Sequence, residues 1–98
     1  MSQRLGRLLT QACERKAARI GKDYTSYKLA QESNTTQSYA YRALHGKIIP
    51  SRDMLLKWCD ALECTVDERA KIFHAAGYLS PEEMQKELEA EEEEVNAA

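Results

Sequence analysis

The sequence predicts an all-α fold of five helices, followed by a C-terminal helix and an acidic tail. Two observations support this prediction. Side chains that accept hydrogen bonds from the first backbone N–H groups of a helix recur along the chain, at Thr25, Thr36, Ser51, Thr65 and Ser80. Glycines, which favour helix ends, follow the predicted segments at Gly21, Gly46 and Gly77.

The first helix is expected over residues 3–20, which contain no proline and many strong helix formers. Its apolar positions are Leu5, Leu8, Leu9, Ala12 and Ile20. The alanine-rich second half leaves the buried register open. Tyr24 stands one residue before the next helix cap, where a large side chain packs against the start of the following helix.

Residues 24–46 are predicted to form two short helices joined by a tight turn. Thr25 begins one helix and Thr36 begins the other, eleven residues later. In the polar connection between them, Asn34 is expected to take the left-handed conformation, which Asn adopts at a lower cost than other non-glycine residues. Two short helices joined by about three residues form a helix-turn-helix unit.

The apolar pattern of this unit assigns one face of each helix to the core. The inward positions are Leu29 and Ala30 in its first helix and Ala40, Ala43 and Leu44 in its second. The outward positions of the second helix are Gln37, Ser38, Tyr41 and Arg42. Gln, Ser and Arg side chains can hydrogen-bond to base edges in the DNA major groove, and a tyrosine ring can contact a thymine methyl group. An ordinary solvated helix face is the alternative interpretation.

Two further helices complete the predicted domain. Residues 46–50 form a loop in which Ile48 and Ile49 either fold back on the core, the interpretation we favour, or contribute to a dimer contact. The fourth helix follows Ser51 and has a core stripe at Leu55, Trp58, Cys59 and Leu62. The fifth follows Thr65, with Glu68 completing a capping box, and its apolar positions are Ala70, Ile72, Phe73 and Ala76.

The C-terminal segment begins with a strong helix signal, Ser80-Pro81-Glu82-Glu83, which predicts a helix over residues 81–93. Met84 and Leu88 form a narrow apolar seam that either docks on the domain or pairs with a second copy. The run of glutamates at 91–94 is self-repelling, so residues 94–98 are expected to be disordered. A solvated tail is favoured over one that competes with DNA.

Size and composition indicate one small domain, because 98 residues can build a modest core without disulfides or metals. The cysteines at 13, 59 and 64 match no zinc-binding spacing and are interpreted as buried, reduced thiols. No apolar run reaches the roughly 18 residues of a membrane span, and no leader opens the chain. A cytoplasmic protein, nucleoid-associated when bound to DNA, is therefore expected.

The charge is strongly segregated along the chain. Residues 1–57 carry eleven Lys and Arg against four Asp and Glu, a net charge of +7. Residues 58–79 have a net charge of −2, and residues 80–98 a net charge of −7. The basic part coincides with the helix-turn-helix unit, as a surface that binds DNA phosphates requires.

Enzymatic function is not indicated. The sequence has no glycine-rich phosphate loop, no carboxylate pair at a recognisable cleft, and no Cys/His or Ser/His dyad at a supporting spacing. A protein without catalytic activity and without a cofactor is expected.

A family resemblance rests on six short matches along the middle of the chain. They are Leu29-Ala30, Thr36-Gln37-Ser38, Gly46-Lys47, Pro50-Ser51, Leu55-Leu56 and Ala61-Leu62. On these residues the stretch 24–62 resembles the DNA-binding core of the Cro/repressor (Xre) class of helix-turn-helix regulators, and a less specific similarity extends to about residue 79. The class usually has Gly where Asn34 stands and branched aliphatic residues where Ala40 and Ala43 stand.

The resemblance implies a lambda-repressor-like DNA-binding domain over residues 1–79, with the C-terminal helix and acidic tail over 80–98. It also implies that helix 36–45 is the recognition helix, with Gln37, Ser38 and Arg42 at base-contacting positions. Lys47 matches a position that commonly touches the sugar-phosphate backbone.

The complete set of expected phosphate contacts combines this match with the residues near the motif. It comprises Arg19, Lys22, Ser26, Tyr27, Lys28, Thr36, Tyr39, Lys47 and Arg52. For Tyr27, packing against a neighbouring side chain is the alternative.

Together these observations predict a sequence-specific regulator that binds double-stranded DNA, acts as a repressor and works as a homodimer. The alternative is a protein-interaction module, such as an antitoxin or a coactivator-like adapter, that holds a protein partner through residues 80–98. A non-specific nucleoid protein is a third hypothesis.

Overall fold

The computed structural model describes the backbone of residues 3–97 and the side chains of residues 3–92. Six helices and no strand occur within residues 3–97. The helices are α1 (Gln3–Ile20), α2 (Ser26–Glu32), α3 (Gln37–Leu44), α4 (Arg52–Ala61), α5 (Val66–Ala75) and α6 (Pro81–Ala97). The predicted all-α fold is confirmed.

The predicted caps are correct for all but one of the short helices. The hydroxyls of Thr36, Ser51 and Thr65 each accept from the backbone N–H three residues on, at 3.2 Å. Ser80 and Glu83 form a reciprocal pair at the start of α6, with both hydrogen bonds at 3.2 Å. The prediction for Thr25 is wrong in one respect: it occupies the cap position of α2, but its side chain makes no capping hydrogen bond.

The turn between α2 and α3 follows the predicted geometry. Asn34 has a φ of 56°, in the left-handed region. The N–H of Thr35 then reaches back to the carbonyl of Ala30 at 2.9 Å, and this bond ends α2. Ala30 and Ala40 are both buried, so small side chains lie where the two helices pack together.

A buried hydrogen-bond relay, which no sequence pattern indicated, joins this turn to α4. The indole N–H of Trp58 donates to the hydroxyl of Ser33 at 2.9 Å, and that hydroxyl donates to the carbonyl of Leu29 at 2.6 Å. Trp58 is completely buried and Ser33 is 4% exposed. The ring of Tyr39 packs edge-on against Trp58, with centroids 5.9 Å apart. One aromatic side chain therefore touches both helices of the motif.

The first helix approaches the end of α3 closely at Gly6. A Cβ atom at this position would lie 2.7 Å from the carbonyl oxygen of Leu44 and 2.8 Å from the amide nitrogen of Gly46. Both are backbone atoms that cannot swing away, so only glycine fits without a shift of α1. Thr10, one turn later, donates to the same Leu44 carbonyl at 3.4 Å.

A second contact, around Tyr24, ties α1 to α2. Tyr24 is buried, and its hydroxyl donates to the Glu32 carboxylate at 2.6 Å. The Lys16 ammonium lies 4.5 Å from the centre of the Tyr24 ring and 3.3 Å from Glu32. The hydrogen bond from Tyr24, followed by the one from Lys16, lowers the pKa of Glu32 against the opposing effect of burial.

Two predictions outside the motif need correction. Helix α6 runs to Ala97, so the prediction that it ends at residue 93 is wrong. The predicted disorder over 94–98 is wrong for 94–97, and residue 98 lies outside the described residues. Glutamate is a strong helix former, which explains why the acidic run does not end the helix. In the loop after α3, Ile48 packs on the core as favoured, but Ile49 is 53% exposed.

Replacement of Ser33 by Ala tests the relay. The variant leaves the buried Trp58 N–H without an acceptor, so the free energy of unfolding should fall by about 1–3 kcal/mol. Urea unfolding followed by tryptophan fluorescence measures this change. The matched control is Ser38→Ala on the exposed face of α3, which should change stability by less than about 0.5 kcal/mol. Equal stabilities for the two variants would contradict the role given to Ser33.

Candidate nucleic-acid interface

The outward face of α3 is polar and open to solvent. Gln37, Ser38, Tyr41 and Arg42 are all exposed, and this exposure is measured with α6 in place. On the opposite side of the helix Ala40 and Ala43 are completely buried. The four predicted base-reading residues therefore share one accessible surface, which neither the domain nor the described part of the acidic helix covers.

Arg42 carries the positive charge of this surface. Its Nε donates to the carbonyl of Ser38 at 3.4 Å, a long hydrogen bond that orients the side chain along the helix. Among the described side chains Arg42 makes no ion pair. The terminal N–H groups of its guanidinium remain available for a ligand.

The open face extends one turn further than the sequence analysis expected. His45 follows Tyr41 at the next turn, and the two rings stack with centroids 3.9 Å apart at an interplanar angle of 25°. The His45 Nδ1 lies 2.9 Å from the carbonyl oxygen of Tyr41. Both side chains are exposed. The spacing of four residues from Tyr41 was the signal that could have identified His45.

Tyr39 has a different position from the four outward residues. Its side chain is half-buried against Trp58, and its hydroxyl accepts from the backbone N–H of Ser51 at 3.2 Å. The hydroxyl proton remains free to be donated. Tyr39 therefore links α3 to the start of α4 and still offers one hydrogen bond.

The first helix of the motif exposes two of its three predicted phosphate-binding side chains, Tyr27 and Lys28. Tyr27 is 50% exposed and accepts from the Gln31 side chain at 3.1 Å, so its ring does not belong to the core. Lys28 is exposed and lines a shallow groove that also includes Lys22. Ser26, the first residue of α2, is half-buried. The Thr25 hydroxyl makes no capping hydrogen bond, so it does not accept from the first N–H groups of α2.

Lys47 lies directly after the exit of α3. Gly46 has a φ of 72°, and the N–H of Lys47 donates to the carbonyl of Arg42 at 2.8 Å. This pair of features is the common way in which a helix ends with a left-handed residue. The Lys47 side chain is exposed and makes no ion pair with the described side chains.

The three cations in the second half of α1 have partners within the domain. Arg15 pairs with Glu68, Lys16 pairs with Glu32 and Arg19 pairs with Glu63. Arg19, a predicted phosphate contact, therefore lies beside Glu63, just past the end of α4. Both side chains of this pair are exposed. Exposed pairs of this kind contribute little free energy and exchange easily.

Arg52 is also engaged by its own domain. Its guanidinium lies 5.2 Å from the centre of the Phe73 ring and donates to the carbonyl of Leu79 at 3.3 Å. The sequence analysis expected this side chain to reach phosphate from the start of α4. The structure instead directs it toward the junction between α5 and α6.

Two other classes of site do not occur in the described part of the chain. None of its helices combines the length and the apolar character needed to cross a membrane. Between residues 3 and 92, no group of three or more His, Cys, Asp or Glu side chains has an arrangement that could hold a metal ion.

One of three comparisons with known proteins identifies a family for the chain. No curated protein and no solved structure is significantly similar to the chain. A family model described as Helix-turn-helix matches residues 16–69, which is more than half of the 98 residues and spans the chain from the second half of α1 into α5. The resemblance to the Cro/repressor class is thereby confirmed. The chain belongs to the Cro/C1-type helix-turn-helix family of DNA-binding transcription regulators.

Proposed function

We propose that the protein is a sequence-specific repressor that binds double-stranded DNA as a homodimer and reads the major groove with α3. The observation that carries this proposal is the accessible polar face of α3, with the free cation Arg42 on it and Lys47 beside it. Family membership supports DNA binding in general, and the exposed face of α3 supports contact with bases through this helix. Such a regulator works in the cytoplasm, at the nucleoid.

The dimensions of α3 suit the major groove. An α-helix with its side chains is about 10–12 Å in diameter, and the groove is about 12 Å wide. Arg42 has the fork geometry for guanine O6 and N7, and Gln37 has the amide for adenine N6 and N7. Ser38 can bond to either kind of base, and Tyr41, braced by His45, can contact a thymine methyl group.

Phosphate contacts would hold α3 in register. Tyr27 and Lys28 precede α3 along the chain and Lys47 follows it, so exposed donor groups flank the reading helix in sequence. The free hydroxyl proton of Tyr39 adds a neutral donor between them. Contacts of this kind position the protein on the duplex without reading sequence.

The proposed dimer is supported by the small size of one recognition helix. One α3 covers only a short half-site, and regulators of this kind place two recognition helices about 34 Å apart on one face of the duplex. Ile49 and Leu88 are exposed apolar side chains at 53% and 49%, and either could contribute to the contact between copies.

Selection of bound sequences from a random DNA pool tests the proposal directly. A dimeric reader should recover an inverted repeat whose half-sites lie about one helical turn apart, roughly 10 bp from centre to centre. Recovery of unrelated sequences with affinity that depends only on salt would favour a non-specific nucleoid protein.

The Arg42→Ala variant should bind the selected site more weakly by about 1–3 kcal/mol and accept other bases at the position that Arg42 reads. Fluorescence anisotropy on the selected site and its single-base variants measures both effects. The control is Arg42→Lys, which keeps the charge but loses the planar fork, so it should relax discrimination while preserving the salt dependence. Unchanged preference in both variants would remove Arg42 from the reading set.

The Lys47→Ala variant should weaken binding evenly across sequences and reduce the slope of log affinity against log salt by about one unit. Titrations at a series of salt concentrations provide the slope. The matched control is Lys71→Ala on α5, which removes the same charge from a position outside the motif. If both variants change the slope equally, the effect reflects overall charge rather than a phosphate contact at Lys47.

A protein-interaction role remains a second candidate because of α6. This helix extends beyond the contacts at its start, where Arg69 pairs with Glu82 and His74 with Glu83. Past these pairs Leu88 is 49% exposed among acidic side chains, an arrangement that suits a basic protein partner.

Removal of residues 87–98 separates the two roles, since it keeps the Ser80–Glu83 cap and the pairs at the start of α6. If α6 serves only a protein partner, the shortened chain should select the same DNA sequence as the full chain and lose the partner in a pull-down. Circular dichroism checks that the domain remains folded. A folded short chain that no longer binds DNA would show that α6 belongs to the DNA-binding assembly.

A further inference from the structure

The three cysteines lie close to one another, and the DNA-binding role uses none of them. Cys13 on α1 and Cys59 on α4 are buried, at 3% and 1% exposure. Cys64, two residues past the end-cap of α4, is half-buried and free. All three were expected to be buried, reduced thiols, but Cys64 is only partly buried.

The end of α4 brings Cys59 and Cys64 together through the backbone. The N–H of Cys64 donates to the carbonyl of Cys59 at 3.0 Å, and the N–H of Glu63 donates to that of Asp60 at 3.1 Å. Glu63 has a φ of 53°. This pair of bonds around a left-handed residue is the Schellman motif, in which the side chains of the first and last residues commonly touch.

The hydrogen bond also limits the separation of the two residues. With 3.0 Å between the Cys64 nitrogen and the Cys59 oxygen, the two Cα atoms cannot be more than about 7 Å apart. That is the outer limit for a disulfide that forms without backbone movement. The backbone at the end of α4 therefore places the two cysteines within the range that a disulfide can span.

The surrounding charges distinguish the two thiols. The hydrogen bond from Cys59 lowers the pKa of the Cys64 thiol, and the guanidinium groups of Arg15 and Arg69 lower it further against the effect of burial. The same hydrogen bond and burial raise the pKa of Cys59. Burial raises the pKa of Cys13 to about 12. Arg15 is held in place by its bond to the Leu62 carbonyl at 2.9 Å.

We propose that Cys64 and Cys59 form a dithiol that hydroperoxides oxidise to a disulfide. The Cys64 thiolate attacks the peroxide, an S–O bond forms, the O–O bond breaks, and the leaving alkoxide or hydroxide takes up a proton. The Cys59 sulfur, on losing its proton, then attacks the sulfur of the Cys64 sulfenic acid. The S–S bond forms as the S–O bond breaks, and the hydroxide leaves as water with that proton.

The overall reaction balances in atoms and electrons. Two thiols lose two electrons in total, and one hydroperoxide is reduced to an alcohol, or to water when the oxidant is hydrogen peroxide, with a further water released. A thiol reductant restores the dithiol by exchange. Cys13 is not required, because no hydrogen bond of its backbone ties it to either partner in the way that the end of α4 ties Cys59 to Cys64.

Peptide mapping of the full chain after hydrogen peroxide treatment tests the proposal. Trypsin cleaves after Lys57 and Arg69, so both cysteines fall on the peptide 58–69, while Cys13 falls on the peptide 8–15. After treatment and alkylation of free thiols, the peptide 58–69 should have lost two hydrogens and carry no alkyl group. The Cys13 peptide should be alkylated, and dithiothreitol should restore two alkylation sites on 58–69.

Variants assign the roles. Cys59→Ser should stop at a sulfenic acid on Cys64 that dimedone traps, whereas Cys64→Ser should form neither product. Cys13→Ala is the control and should form the disulfide as the unaltered chain does. Arg15→Ala should slow the first step several-fold, and Arg15→Lys should recover part of that loss. Circular dichroism confirms folding of each variant.

Three results of the peptide mapping would overturn the proposal. They are two free thiols on the peptide 58–69 after peroxide, a bridge that involves Cys13, and a bridge that forms only between two copies of the chain. Oxidation that proceeds as fast in urea as in the folded protein would also overturn it, because the end of α4 would then have no part in bringing the thiols together.

Discussion

The buried hydrogen bond from the Trp58 indole to the Ser33 hydroxyl determines where the helix-turn-helix motif lies on the domain. The buried indole N–H donates a hydrogen bond to this hydroxyl. The hydroxyl in turn donates a hydrogen bond to the carbonyl of Leu29 in α2. A buried donor without a partner is costly, so only one position of the turn satisfies Trp58. Tyr39 packs on the same ring, and its hydroxyl holds the start of α4, which fixes the rotation of α3.

The same packing divides the basic charge of the chain into two groups. Arg15, Lys16 and Arg19 on α1 pair with carboxylates of other elements. Lys28, Arg42 and Lys47 lie on or beside the motif and have no such partner among the described side chains. A net charge of +7 over residues 1–57 thus gives the location of the DNA-binding half of the chain but not the identity of the contacting groups. The division between them depends on which cations a carboxylate can reach.

Local features were predictable because they depend on a few neighbouring residues. Thr36, Ser51 and Thr65 cap their helices as expected, and Asn34 adopts the left-handed conformation in place of the glycine that the family usually has. The outward face of α3 followed from its apolar period alone. Thr25 did not follow the rule, since its hydroxyl makes no capping bond although its backbone occupies the cap position. The backbone hydrogen bond between Cys59 and Cys64 is also local. It was not predicted, because the left-handed residue beside it is Glu63 rather than a glycine.

By itself the sequence determined the number of helices, their starts and the outward face of α3, because side chains within one or two turns settle these features. Only the tertiary structure decided which polar groups are already engaged. Trp58 meets Ser33 across 25 residues, Arg19 meets Glu63 across 44, and Gly6 admits the backbone of Leu44. Contacts over such separations depend on how whole helices pack, and no periodicity in the chain encodes them.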